Sequence, residues 1–178
     1  MIDDIDRQIL SILQQNARTS NAEIARQVGM APSAILERIR RMEIKGVIQG
    51  YEARINPEAL GLNLLAFVSV SSTDHGGDMR AAEALSEMPE VQEVHHIAGE
   101  DCYLVKVRVP DAKTLGRLLR KWVASIGSIK STRTTVVLES VHETARLPLS
   151  AVSAVAAAAP ATPATPAAEE ELEEVFNV

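Results

Sequence analysis

Arg38, Arg40, Arg41 and Lys45 crowd four cations into one short stretch of this chain, and their chemistry narrows what the stretch can meet. A guanidinium is a planar fork of donors matched to phosphate oxygens and to guanine edges, so such a cluster suits a polyanion. Other candidate groups lead nowhere comparable. His95 and His96 are adjacent, and neighbours on a strand point to opposite faces, so the pair cannot grip a metal from one side. Cys102 is the one cysteine, which excludes an internal disulfide and a multi-Cys metal site. Its nearest following cation is Lys106, too remote to stabilise a thiolate, and an inert thiol is the reading. No nucleophile elbow, phosphate loop or metal-ligand spacing occurs, so the chain is not read as an enzyme, and no metal or cofactor is expected.

The basic cluster sits on an element with defined ends. Pro32 suits the first position of a helix, where its missing amide would have had no partner, and Gly46 suits its end. On a wheel of roughly 100° per residue, Ile35, Ile39 and Met42 share one side. Ser33, Glu37, Arg40 and Arg41 point away, and Arg38 and Lys45 lie on the flanks. A shorter helix precedes it, opened by the capping-box spacing Ser20 to Glu23, striped by Ile24, Ala25 and Val28, and closed by Gly29. Two such helices about a short glycine-containing turn form a helix-turn-helix, whose second helix offers its N-terminal residues to base edges in the major groove. The alternative, that the cations are only the solvated face of an amphipathic helix, is set aside by the surrounding module. Upstream, Asp3 caps a helix from about Asp4 to Asn16, whose Ile5, Ile9, Ile12 and Leu13 make the floor of a three-helix core. Downstream, Val47-Ile48 and Ala53-Arg54-Ile55 are expected to form a small hairpin, the wing.

The formal charge of −6 argues against a polyanion only until its distribution is considered. Five glutamates, Glu169, Glu170, Glu171, Glu173 and Glu174, lie in a tail that has no Lys or Arg after Arg146, and the remainder is near neutral. Local charge within a Debye length of roughly 8 Å is what phosphates feel. No stretch reaches the roughly 20 apolar residues of a membrane span, and no secretory leader opens the chain, so a cytoplasmic location is expected.

Beyond Asn56-Pro57 the periodicity changes. Strands are expected at Leu64–Ser71, Val91–Ile97, Tyr103–Val109 and Thr132–Val141, with helices over Asp78–Met88 and from Asp111 to Ile126. The order βαββαβ gives an α+β, ferredoxin-like domain, one antiparallel sheet with two helices on one face. A second copy of the same sheet is expected to cover the other face. The domain boundaries follow: a winged helix-turn-helix over 1–50, a linker over 51–61, the ferredoxin-like domain over 62–147, and a disordered Ala/Pro/Glu tail over 148–178.

Together these stretches resemble the Lrp/AsnC, or feast/famine, transcription regulators. The likeness is carried by DDIDRQILSILQQNAR, by NAEIARQVGMAPSAILERIRRMEIKGVIQGYEARINPEALG, by HHIAGEDCYLVKVRVPD and by STRTTVVLESV. It implies a DNA-binding domain joined to a RAM-type domain that binds a small effector, typically an amino acid, and forms homodimers or rings of four dimers. It places Gly99, Glu100, Asp101, Cys102 and Tyr103 in the effector loop, with Thr134 and Thr135 facing it. The sequence departs from the family at Cys102, where members often carry Asp, and at Ala31, where the helix cap is often Ser.

The DNA-facing residues on this reading are Ser33, Ala34, Glu37, Arg38, Arg40, Arg41 and Lys45. Ser33 and Glu37 are placed for base edges and Arg40, Arg41 and Lys45 for phosphates. The partners are double-stranded DNA, a second copy of the chain and an amino-acid effector. A different class remains open, a small-molecule sensor or enzyme on the ferredoxin-like domain with a protein-binding helical domain.

Overall fold

A computed structural model describes residues 2–74, 78–99 and 101–149. They fall into two compact units, one built from residues 2–51 with 145–149, the other from the described residues of 52–144.

The first unit is three helices, α1 (Asp4–Gln15), α2 (Asn21–Val28) and α3 (Pro32–Ile44). Each begins for a local reason. The Asp3 and Asp6 side chains each accept from the other residue's amide, a full capping box. Ser20 accepts the Glu23 amide, but Glu23 turns its carboxylate to Arg26 and Gln27, so only half of the expected second box forms. Pro32 opens α3 from Ala31, which has cap geometry but no side-chain acceptor. Gly46 at φ 67° closes α3, with the Val47 amide bonded to the Met42 carbonyl and the Gly46 amide to Glu43, the paired bonds of a Schellman stop. Ile9, Ile24, Ala25, Ile35, Ile39 and Met42 are buried together, so the apolar wheel positions of all three helices converge.

The expected wing is absent: residues 47–56 run without strand pairing. A strand is stable only with a ladder partner, and the Tyr51 hydroxyl instead donates to Glu43 Oε1 at 3.0 Å, drawing the segment along the end of α3. Burial and that bond push the Tyr51 phenol up to about 12.

The second unit contains β1 (Leu64–Ser72), α4 (Arg80–Ser86), β2 (Val91–His96), β3 (Tyr103–Val109), α5 (Ala112–Ser125) and β4 (Ile129–Val136). The sheet order is β2-β3-β1-β4, every pair antiparallel. Alternation sorts its faces. Ala66, Val68, Val70, Tyr103, Val105, Val107 and Val109 pack under α4 and α5 with Leu85, Leu115, Leu118 and Trp122. Phe67, Ser69, Leu104, Lys106 and Arg108 lie on the other side.

Strand β4 begins three residues earlier than expected and ends at Val136, five short of the expected Val141. Its partner sets that limit: β1 starts at Leu64, and the Val137 amide to the Leu65 carbonyl is the last bond β1 can offer. The chain then returns across the second face, where Glu143 pairs with Lys106 and Arg108 and its carbonyl accepts from Arg54. Part of the cover expected from a second copy is therefore supplied by the chain itself. The expectation of a disordered tail falls almost wholly on residues 150–178, outside the described residues.

Candidate nucleic-acid interface

Helix α3 presents two rows of polar side chains with different fates. Ser33, Glu37, Arg40, Glu43 and Lys45 are exposed, and Ala34 is half-buried beside the core seam. Among the described residues neither Arg40 nor Lys45 has a carboxylate within ion-pair distance. These two cations therefore keep all their donors for an external anion.

Arg38 and Arg41 are spent differently. The Arg38 Nη1 donates to Asp3 Oδ2 and to Asp6 Oδ1, both at 2.7 Å, and its side chain is 20% exposed. Arg41 donates from Nη2 to Asp6 Oδ1 at 3.3 Å and Oδ2 at 3.2 Å, and remains 46% exposed. Asp6, 1% exposed, is one of two buried polar residues among the described residues. The Asp6 amide and then the Arg38 guanidinium hold the Asp3 carboxyl below its ordinary range, and the Asp3 and then the Asp6 carboxylate raise Arg38. The wheel placed Arg41 on the outward face and Arg38 on a flank. The structure turns both guanidinium groups toward the start of α1, each by one nitrogen, Nη1 of Arg38 and Nη2 of Arg41, with Arg41 the more exposed.

The sequence marks Asp3 as a helix cap, and the pairing of Asp3 and Asp6 with the arginines of α3 is a second role that the fold adds. The signal available was the spacing Asp3-x-x-Asp6 with Arg38 and Arg41 also three apart, a match of two forks to two carboxylates that only the tertiary fold brings together.

In the second unit the loop before β3 turns at Gly99, whose φ of 136° favours glycine. Asp101 is held by Arg133 at 2.5 Å. The Cys102 thiol accepts the Ser72 amide at 3.4 Å and lies 3.6 Å from the Ser72 carbonyl, so it faces the end of β1. Tyr103 is buried, with its ring against His96 and its hydroxyl donating to Asp74 Oδ2 at 3.4 Å. Burial would raise the Asp74 carboxyl, but the Ala81 amide and the surrounding hydroxyls outweigh it and hold the group low. Thr134 pairs with Val68 and Thr135 with Phe67, so they occupy opposite faces of β4. Glu100 lies outside the described residues. The loop thus keeps Gly99 and Asp101 near the surface, sends Tyr103 into the core, and does not bring Thr134 and Thr135 to one side. His95 turns to Glu93 at 3.0 Å on the face away from the helices, and among the described residues no cluster of metal-ligating side chains occurs.

Residues 2–43 match the AsnC-type helix-turn-helix domain, and residues 65–147 match the Lrp/AsnC ligand binding domain. Over 148 residues, 82% of the chain, it is 40% identical to the leucine-responsive regulatory protein of Escherichia coli (strain K12), covering 90% of that protein. The chain belongs to the Lrp/AsnC family of transcriptional regulators. Solved structures are similar to it along most of its length. A transcriptional regulator from Neisseria meningitidis in complex with L-Met gives a TM-score of 0.79 at 28% identity, over 85% of this chain and 99% of that one. A feast or famine regulatory protein from M. tuberculosis complexed with L-methionine gives 0.77 at 36% identity, over 83% and 99%. The family's two parts coincide with the helical unit that carries α3 and the sheet unit that carries the 99–103 loop.

Proposed function

We propose that this regulator reads DNA through the outward row of α3, and that an amino acid bound at its sheet domain alters that binding or the assembly that supports it. The observation that carries the reading is the free pair Arg40 and Lys45 on an exposed helix following a tight turn. Ser33 and Glu37, in the first half of α3, are assigned to base edges, with Ala34 in van der Waals reach of them. Arg40, Lys45 and the free edge of Arg41 are assigned to phosphates, and Arg38 to internal support rather than to DNA.

The effector assignment rests on the family's ligand binding domain and on the L-Met carried by two structural relatives. Gly99, Glu100, Asp101 and Cys102, with Thr135 or Thr134 from β4, are the residues proposed to face it. Asp101 already pairs with Arg133, so a ligand ammonium that seeks this carboxylate competes with a guanidinium. A thiol at position 102 offers no charge, so selectivity here is expected to lean on the ligand's side chain. We assign a homodimer through the sheet face that bears Phe67 and Leu104, with larger rings of dimers built from it, working in the cytoplasm without a metal or organic cofactor.

Selection of duplexes from a random-sequence pool tests the first part, with enrichment of a two-fold symmetric site expected. Recovery of the input pool would remove the reading. Thermal-shift measurement against the twenty amino acids tests the second, since a ligand that binds only the folded state raises the melting temperature.

A further inference from the structure

Below the outward row of α3, Asp3, Asp6, Arg38 and Arg41 close into a neutral cluster of four charges. Its centre is Asp6, buried where carboxylates are almost never found unless paired. Stability alone is a weak reason for such a group, because well-packed apolar residues usually serve as well or better than a buried ion pair. The geometry offers another reason. Asp6 binds Arg41 through Nη2 alone, so Nε and Nη1 of the same planar group remain, on a side chain that is 46% exposed. Arg38, three residues earlier, turns inward on Asp3 and Asp6 and locks α3 against the start of α1. The two arginines thus divide the work: Arg38, 20% exposed, bridges both carboxylates through Nη1 and fixes the helix, and Arg41, 46% exposed, is held on Asp6 alone and keeps its other donors.

Resting on the DNA reading above, we propose that Asp6 is a positioning residue for operator recognition, presetting the Arg41 fork and the seat of α3 while touching no DNA itself. A side chain ordered before binding loses less freedom on binding, and a planar fork set at a fixed angle discriminates where a mobile cation only attracts. Two effects of removing Asp6 then have opposite signs. Loss of a negative charge beneath α3 strengthens the unspecific pull on phosphates, whereas loss of the preset fork, whose phosphate contact fixes the register of α3 on the bases, weakens the fit to one sequence.

The test uses the full chain, a duplex it selects from a random pool, and a scrambled duplex of equal length. Asp6→Asn keeps the shape of the side chain and removes its charge; Arg41→Lys keeps the charge and removes the fork. For each variant the ratio of the two dissociation constants is measured, with a thermal melt to confirm folding. Asp6→Asn is expected to cut the ratio by about tenfold, a loss on the scale of one mismatched base pair. Binding to the scrambled duplex stays level or tightens. Arg41→Lys is expected to lose a similar factor, and the double variant no more than either alone. A folded Asp6→Asn chain with the parent's ratio, or two losses that multiply, would overturn the assignment. Simple destabilisation would weaken both duplexes alike, which also counts against it. Should Asp6→Asn fail to fold, Arg41→Lys decides, and an unchanged ratio there sinks the proposal. If the parent chain enriches no sequence at all, the DNA reading fails rather than this inference.

Discussion

Arg38 and Arg40 are two residues apart on one helix, yet a change at each is expected to be felt by different measurements. Arg38→Ala leaves the buried Asp6 with the longer Arg41 contacts and the Asp3 amide, and removing one partner of a buried polar pair costs about 1–3 kcal/mol. Arg40→Ala removes an exposed cation without a partner among the described residues, and its unfolding free energy is expected to stay within about 0.5 kcal/mol of the parent. Urea unfolding of both variants checks the pair, and equal losses would mean the cluster is not a support. Acid should find a different set of residues. Lys106 first, then Arg108 and Arg54, hold Glu143 below its ordinary range against the opposing effect of burial. A carboxyl lowered in the folded state contributes stability that is present above its unfolded pKa of about 4.3 and is lost as pH falls through the folded value. The melting temperature is therefore expected to fall below about pH 4, and less steeply in Glu143→Gln. These pairings were not legible in the sequence. A helical wheel gives the direction of a Cβ, but an arginine is long enough to turn back to a carboxylate that is 32 or 35 residues distant in sequence.

At the scale of elements the sequence carried most of the fold, because two periodicities suffice to separate three helices from a βαββαβ unit. Capping chemistry fixed the starts of α1 and α5 at Asp3 and Asp111, and glycine fixed the ends of α2 and α3. The failures were of one kind. Strand β4 and the wing both depend on a partner strand, and propensity does not show where a partner runs out. Helix α3 is the element with a correctable defect. Ala31 holds the extended backbone of a cap, φ −74° and ψ 143°, with no acceptor to offer. Ala31→Ser is expected to stabilise the chain by about 1 kcal/mol, measured by urea unfolding, through the amide of residue 33 or 34. No gain would show that the first turn of α3 is already satisfied in another way.

For the whole molecule, two units divide recognition from response, and family membership states what each is for. On the proposed reading the helical unit offers DNA Arg40, Lys45 and the free edge of Arg41, backed by Asp3 and the buried Asp6, which pair with Arg38 and Arg41. On that reading the overall charge of −6 is compatible with DNA, because the cations that would meet phosphates are those that keep free donors. The sheet unit keeps its third strand's cations, Lys106 and Arg108, under its own Glu143, so they are withheld from DNA. The most direct test is the affinity of the paired change Arg40→Ala with Lys45→Ala for a selected duplex, titrated over a range of salt. Each phosphate contact contributes about 0.9 to the slope of log affinity against log salt, so the slope should flatten by about 1.8 per bound subunit, about 3.6 for a dimer on both half-sites, while the fold is kept. A folded variant with the parent's affinity and slope would place the DNA surface elsewhere.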